Sequence, residues 1–234
     1  MTKKEILDAI HGQMIISCQA VEGEPLYVEE KSIMYLMARA AKQAGTPAIR
    51  TSSIRDVIAI KEETGLPVIG LVKVQYPGYE GFITPTMKEV DDLVAASSDI
   101  VALDCTLRKR GDGSTVNEFI AQIREKYPDI ILMADISNYE EGINAWKCGV
   151  DIVGTTMSGY TAYTSSVSDG PDYELMERLS RDINIPVIGE GRIHYPDQAV
   201  KALQTGVWAI VVGGAITRPL EIAMRFQNAI KESR

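Results

Sequence analysis

Eight short runs of apolar, mostly β-branched residues recur along the 234-residue chain, separated by segments with helical spacing. Each run is continuous rather than alternating, which is typical of strands buried on both faces of a parallel sheet. The runs cover residues 14–18, 47–50, 67–73, 99–104, 130–135, 150–154, 185–190 and 208–214. Eight strand–helix units in this length predict a single α/β domain over residues 1–234, a (β/α)₈ TIM barrel. A doubly wound open sheet is the alternative.

Helix boundaries are marked in the segments between these runs. Three Ser/Thr-x-x-Glu sequences have the spacing of a capping box, in which each partner satisfies a free backbone N–H at the helix start. They are Thr86 with Glu89, Thr115 with Glu118, and Ser137 with Glu140. Glycines that can end a helix precede the following runs at positions 45, 65, 149 and 206.

The charge balance limits the expected partners. The chain has 24 Lys and Arg against 32 Asp and Glu, a formal net charge of −8. An acidic surface repels nucleic acid and anionic membranes, so we expect neither as a partner. Three separated cysteines (Cys18, Cys105 and Cys148) and an N-terminus without a long apolar run predict a cytoplasmic protein with reduced thiols.

Polar residues gather where the apolar runs end. In (β/α)₈ barrels the active site lies at the C-terminal ends of the strands, so these side chains are expected to converge there. They are Gln19, Arg50, Lys73, Asp104, Asp135, Thr155, Glu190 and Arg192. No His, Asp or Glu cluster has metal-ligand spacing, so we expect no obligatory metal.

The last two runs end in glycine-rich sequences. Gly191 precedes Arg192, and Gly213 and Gly214 lie shortly before Arg218. Backbone N–H groups at such glycines can approach a phosphate closely, and many barrels bind phosphate after these two strands. The sequence therefore predicts a phosphate site, although the same glycines could simply form tight turns.

Lys73, at the end of the third run, is a candidate catalyst. A lysine that is partly desolvated near other cations has a lowered pKa and can serve as a base or form a Schiff base. An ordinary ion pair at the surface is the alternative. Asp104 and Asp135 could hold a sugar hydroxyl, orient a lysine or bind a metal, or they could cap the following helix. The hydroxyl-rich segment 154–164 could wrap a sugar or be a loop without a role.

These segments also carry a resemblance to a known family, the bacterial N-acetylmannosamine-6-phosphate 2-epimerases, along the whole chain. The similar stretches include IISCQA (15–20), FITPTMKEVDDL (82–93), VALDCTLRKR (101–110), DIVGTTMSGYTAYT (151–164), IGEGRIHYPDQA (188–199) and VVGGAITRP (211–219). The resemblance implies a TIM barrel without metal or organic cofactor that epimerises a phosphosugar at C2. It also implies a homodimer.

The same resemblance assigns roles to individual residues. It implies that Lys73 is the acid/base lysine and Glu190 the catalytic glutamate. Substrate contacts are implied for Gln19, Arg50 and Asp135, with Thr155 added from the hydroxyl-rich segment. Phosphate contacts are expected at Gly191, Arg192, Gly213 and Gly214.

Two stretches depart from the family pattern. Val74 and Gln75 replace the usual Arg-Asp after the lysine, and Thr51 and Ser52 replace the usual Ala-Asn after the arginine. Both stretches keep the cation and change its neighbours. Two other functions therefore remain open: another phosphate-binding barrel epimerase or isomerase, and a phosphosugar-binding regulatory module without catalysis.

Overall fold

Eight parallel strands close into a barrel in a computed structural model of the chain, which describes residues 1–165 and 170–233. The strands are β1 (Met14–Ser17), β2 (Ile49–Ser52), β3 (Val68–Leu71), β4 (Ile100–Asp104), β5 (Ile131–Asp135), β6 (Ile152–Gly154), β7 (Val187–Glu190) and β8 (Ala209–Val212). Each strand pairs with the next, and β8 pairs with β1 from Met14 opposite Ile210 to Ile16 opposite Val212. The predicted (β/α)₈ barrel is confirmed, and the open sheet is excluded.

One helix precedes β1, and the others follow the strands around the outside of the barrel. They are α1 (Lys3–Ile10), α2 (Met34–Gln43), α3 (Ile54–Thr64), α4 (Met87–Ala95), α5 (Val116–Lys126), α6 (Tyr139–Lys147), α7 (Tyr173–Asp182), α8 (Pro196–Gln204), α9 (Gly214–Thr217) and α10 (Pro219–Glu232). None of the helices within the described residues is long and apolar enough to cross a membrane.

The helix signals in the sequence are mostly confirmed. The capping boxes at Thr86 and Thr115 form as predicted, at the starts of α4 and α5. All four predicted helix-ending glycines have positive φ values, between 65° and 91°. The third capping box is wrong: α6 begins after Asn138, whose side chain accepts a hydrogen bond from the Glu141 backbone. Ser137 instead donates to the Glu141 carboxylate, at 2.7 Å.

Alternate residues of the strands fill the barrel interior, while the residues between them pack against the helices. Ile6 and Ile10 of α1 join the interior cluster and cover its N-terminal end. The Trp208 indole fixes this helix by donating to the Leu7 carbonyl at 2.8 Å. The N-terminal end of the barrel is therefore apolar and closed, and the polar strand ends lie at the opposite end.

Candidate active site

A cavity of about 350 Å³ lies at the C-terminal ends of the strands. This volume falls within the range of roughly 300–1,000 Å³ that is usual for small-molecule sites. The predicted residues that line it are Gln19, Arg50, Lys73, Glu190, Gly191, Arg192, Gly213 and Gly214. The strand ends therefore converge on one cavity.

Arg50 of β2 forms the charged floor of this cavity. Its side chain is 1% exposed, and its Nη2 donates to Asp135 Oδ2 on β5 at 2.6 Å. Its Nη1 lies 3.4 Å from Glu190 Oε2 at the end of β7. Burial opposes the charge of Arg50, but the two carboxylates outweigh it and raise the pKa of Arg50 above its ordinary value. Arg50 is therefore a permanent cation at the floor of the cavity, closely paired with Asp135 and more loosely with Glu190.

Glu190 is the carboxylate of this group that reaches the cavity. Burial raises its pKa to about 7, and the neighbouring Asp135 charge acts in the same direction. Arg50 and Lys73 lower it in part. A carboxyl group with a pKa near 7 can accept and return a proton close to neutral pH.

The two threonines after β6 have different roles. Thr155 is fully buried, and its hydroxyl donates to the Glu190 carbonyl at 2.8 Å and accepts from the Glu190 N–H at 3.0 Å. Thr156 lines the cavity, and its hydroxyl lies 2.7 Å from Asp135 Oδ1 and 3.3 Å from Glu190 Oε2. The geometry therefore does not support Thr155 as a substrate contact. It fixes the backbone of Glu190, and Thr156 is the hydroxyl that faces the cavity.

Asp135 also differs from the sequence-based expectation. Its side chain is 0% exposed, and it is not part of the cavity lining. Its two oxygens are bound by Arg50 and Thr156. Asp135 therefore contacts two residues that line the cavity and does not line it itself.

Lys73 lies beyond β3 rather than in it. The chain turns back after Leu71, and Lys73 pairs in antiparallel fashion with Ile83. Hydrogen bonds on both sides of this pair fix its register, from Val74 N to Phe82 O at 3.0 Å and from Thr84 N to Val72 O at 2.7 Å. This short hairpin places a half-buried lysine at the cavity wall.

The Lys73 amine makes no hydrogen bond or close ion pair with residues 1–165 or 170–233. Its pKa is lowered to about 8, chiefly by burial and then by the cations Arg218 and Arg50, whose effect exceeds the opposite effect of the carboxylates Glu24 and Glu190. A lysine in this state keeps a useful neutral fraction near neutral pH, which is the requirement for a general base.

The glycines after β7 and β8 line the same cavity. Gly191 has φ 110°, and Arg192 after it has φ 55°, a left-handed conformation that is unusual for arginine. The Arg192 guanidinium packs so closely on Gly159 that a Cβ there would lie 2.3 Å from Nη1. At Gly213 a Cβ would approach Ser17 Cβ to 3.3 Å. Backbone and two arginines, Arg192 and Arg218, therefore border this part of the cavity.

Other candidates lie apart from the cavity lining. Asp104 is buried against Arg108, at 2.8 Å, and Thr106, at 2.6 Å. In the hydroxyl-rich segment, Ser158 binds Asp172 and Tyr163 binds Glu141, so these hydroxyls organise the loop itself. Among the described residues, no group of three His, Cys, Asp or Glu side chains could hold a metal ion.

Sequence reasoning missed several lining residues. They are Ser17, Phe82, Ile193, Thr217 and Glu221, and His194, which the sequence left as a loop residue, joins them. Thr156, Met157 and Tyr160 also line the cavity, and they lie in the hydroxyl-rich segment 154–164, for which sugar binding was one of two interpretations. Glu221 had no signal in the sequence, because it lies within a helix that the pattern alone places outside the barrel.

The departures from the family pattern leave the cation positions intact. Val74 takes part in the hairpin through its backbone, and Gln75 donates to the Tyr79 carbonyl. The Thr51 hydroxyl donates to the Cys18 carbonyl at 2.7 Å. None of these three residues lines the cavity, so the replaced side chains support the loops rather than the floor.

Barrel enzymes carry their catalytic side chains at the C-terminal ends of the strands, where this chain brings together a desolvated lysine and a glutamate of raised pKa. The family model NanE, that of an N-acetylmannosamine-6-phosphate epimerase, matches residues 34–232. A relative of that name from Caldanaerobacter subterraneus subsp. tengcongensis is 53% identical over 98% of this chain and 96% of its own length.

A second relative of the same name, from Clostridium perfringens, is 49% identical over 97% of this chain and 100% of its own length. The solved structure of N-acetylmannosamine-6-phosphate 2-epimerase from Clostridium perfringens superposes with a TM-score of 0.90 at 48% identity, covering 96% of each chain. The chain belongs to the N-acetylmannosamine-6-phosphate 2-epimerase family.

Proposed function

We propose that this protein interconverts N-acetylmannosamine 6-phosphate and N-acetylglucosamine 6-phosphate, in the breakdown of sialic acid and amino sugars. One observation carries the proposal beyond family membership: the unpaired Lys73 amine and the Glu190 carboxyl line the same cavity as the glycines after β7 and β8. That arrangement combines an acid–base centre with room for a phosphate.

The reaction requires breaking the C–H bond at C2 of the sugar. In the ring-opened sugar, C2 lies beside the C1 aldehyde, so proton removal gives an enolate. Lys73 takes this proton as the neutral amine and returns one as the ammonium. With a pKa of about 8, roughly a tenth of Lys73 is neutral at pH 7, enough for a general base.

Arg50 and Glu190 serve the oxygens of the substrate. The enolate places negative charge on O1, and the buried guanidinium of Arg50 is held ready to stabilise it. Glu190, as the carboxylate, accepts the C1 hydroxyl proton as the C1–O5 bond breaks and passes it to the ring oxygen, and the reverse transfer closes the ring. Asp135 binds Arg50 and Thr156 and so holds both side chains in position at the floor of the cavity.

Gln19 is a further substrate contact in this proposal. Its Nε2 donates to the Ser17 hydroxyl at 3.0 Å, while its buried Oε1 has no hydrogen-bond partner among the residues that the structure describes. A buried acceptor of this kind is costly unless a ligand supplies a donor. A hydroxyl or the acetamido N–H of the sugar would satisfy it.

The phosphate is assigned to the backbone of Gly191, Gly213 and Gly214 and to Arg192. Binding there supplies energy away from the reacting carbon and holds C2 in position. Turnover of N-acetylmannosamine with and without the 6-phosphate tests this assignment. We expect kcat/KM to fall by at least about a thousandfold without the phosphate, and equal turnover would refute the site.

A panel of other sugar phosphates tests the reaction itself. We expect turnover only of the two N-acetylated hexosamine 6-phosphates, in keeping with the family to which the chain belongs. Faster turnover of another sugar phosphate would make this a different epimerase or isomerase. Tight binding without turnover would make it a regulatory module.

We also propose that the whole chain forms one cytoplasmic domain that works as a homodimer. Helix α10 supports the second part, because none of its residues is buried and Leu220, Met224, Phe226 and Ile230 are 50–70% exposed. An apolar face of this size is typical of a protein interface. Sedimentation equilibrium should give twice the mass of one chain, and Phe226→Asp should shift it toward the single chain.

A further inference from the structure

The charge of Arg218 is already neutralised within the chain. Its Nε lies 2.9 Å from Glu24 Oε1, and its Nη1 lies 3.1 Å from Glu221 Oε1. The Glu24 carboxylate is fixed in turn by the Val21 N–H, at 2.9 Å. An arginine held between two carboxylates offers an incoming phosphate no net positive charge.

Glu221 also occupies space beside the glycines assigned to the phosphate. A Cβ built on Gly214 would lie only 2.1 Å from Glu221 Oε2 and 3.0 Å from its Cδ. The carboxylate therefore lies directly against the Gly214 backbone, inside the cavity that both residues line. Glu24 is not part of this cavity lining.

A phosphate cannot share that position with a carboxylate. Two like charges a few ångströms apart repel strongly in a partly desolvated site. The Glu221 side chain is 41% exposed, so it can leave the cavity without disturbing the core. The Glu24 carboxylate keeps its backbone anchor and its contact with Arg218 in either case.

We propose that Glu221 is an internal competitor that occupies the phosphate position in the empty protein and exchanges with the substrate phosphate. Glu221 then sets the affinity for phosphorylated sugars, because each binding event has to displace it from Arg218 and Gly214. It also keeps Arg218 in place at the cavity edge when no substrate is bound. This inference rests on the proposed phosphate site.

Glu221→Gln tests the exchange, because it removes the charge and keeps the shape. Calorimetric titration with inorganic phosphate, at fixed ionic strength, should show at least about fivefold tighter binding than wild type. KM for N-acetylmannosamine 6-phosphate should fall in parallel. Thermal unfolding of the variant checks that the fold is retained.

Two matched variants distinguish occupation of the phosphate position by Glu221 from a general effect of negative charge on phosphate affinity. Glu232→Gln removes one charge at the far end of α10 and should leave phosphate affinity unchanged. Glu24→Gln removes the other carboxylate on Arg218 and should tighten phosphate by less than about twofold, because Glu24 does not lie on Gly214. Equal gains from Glu24→Gln and Glu221→Gln would overturn the inference, as would an unchanged affinity in Glu221→Gln.

The same measurements distinguish this inference from the proposed function. Wild-type protein that neither binds phosphate nor turns over the phosphosugar would sink the proposed function. If the wild-type protein binds phosphate and turns over the phosphosugar, but Glu221→Gln binds phosphate no more tightly, only the proposed exchange of Glu221 with phosphate is refuted.

Discussion

Arg50 and Asp135 form a fully buried ion pair beneath the cavity, with 2.6 Å between Nη2 and Oδ2 and side chains 1% and 0% exposed. The pair joins β2 to β5 through the barrel interior. When the Asp135 charge is removed, Arg50 keeps only the longer contact with Glu190, so a buried charge loses its main compensation. The floor of the candidate active site is therefore also a determinant of stability.

Asp135→Asn should accordingly lower the free energy of unfolding by about 3–5 kcal/mol. Urea denaturation at pH 7 measures this. Asp91→Asn is the matched control, because Asp91 pairs with Lys126 at the surface, where the side chains are 39% and 52% exposed. It should cost at most about 1 kcal/mol. Similar losses in the two variants would contradict the importance of the buried pair.

Lys73→Met should stabilise the protein at neutral pH. The pKa of Lys73 is about 8 in the fold against an ordinary value of 10.5. Between these two pH values the unfolded chain binds more protons than the folded chain, so the free energy of unfolding rises with pH. Below pH 8 the folded protein bears the full cost of burying a protonated Lys73. Replacing the lysine should raise the free energy of unfolding at pH 7 by about 1–3 kcal/mol.

This gain should shrink as the pH approaches 10.5, where the lysine is neutral in both states. Urea denaturation of wild type and variant at pH 7 and pH 10 gives the comparison. A loss of stability at pH 7, or a gain that does not change with pH, would show that Lys73 is not desolvated.

Activity should depend on pH through the same two groups. Proton transfer in the proposed reaction needs neutral Lys73 and ionised Glu190, so kcat/KM should fall as the pH drops through about 8 and again through about 7. A steady-state profile from pH 5.5 to 9.5 checks this. The groups that face Glu190 are Arg50, Asp135, Lys73 and Thr156. Activity that stays constant from pH 6 to 9 would exclude both assignments.

Thr156→Val should move the lower inflection of that profile upward by about 0.5–1 pH unit. The Thr156 hydroxyl lies within hydrogen-bond distance of Glu190 Oε2 and favours the ionised carboxylate. Valine has the same shape without the hydroxyl, and Thr156→Ser should restore the wild-type profile. A downward shift in Thr156→Val would mean that the hydroxyl favours the protonated acid instead.

The barrel could be predicted from the sequence because each strand is a continuous apolar run with its own boundary signals. Lys73, Arg50 and Glu190 were found for the same reason, since barrel chemistry collects at strand ends. The error at Ser137 has a local cause: Asn138 takes the capping position one residue later. Short-range spacing cannot decide between two adjacent residues that can both cap.

Other features of the site could not be predicted, because they depend on tertiary contacts that the sequence pattern does not contain. Thr155 and Thr156 are adjacent hydroxyls, and only the register of β6 against β7 decides which one faces the cavity. Lys73 reaches the cavity wall because it pairs with Ile83, ten residues away, in a short hairpin. The sequence pattern shows only a continuous apolar run there and does not indicate the hairpin. Glu221 arrives from a helix beyond the last strand, so only the folded structure brings it to Gly214.

The most direct test is proton NMR of N-acetylmannosamine 6-phosphate in deuterium oxide with wild type and with Lys73→Ala, after circular dichroism has shown that both are folded. Wild type should replace the C2 hydrogen by deuterium while N-acetylglucosamine 6-phosphate appears. Lys73→Ala should leave the C2 signal at full intensity, although it still binds the sugar. Loss of that signal at the wild-type rate in Lys73→Ala would show that another group moves the proton.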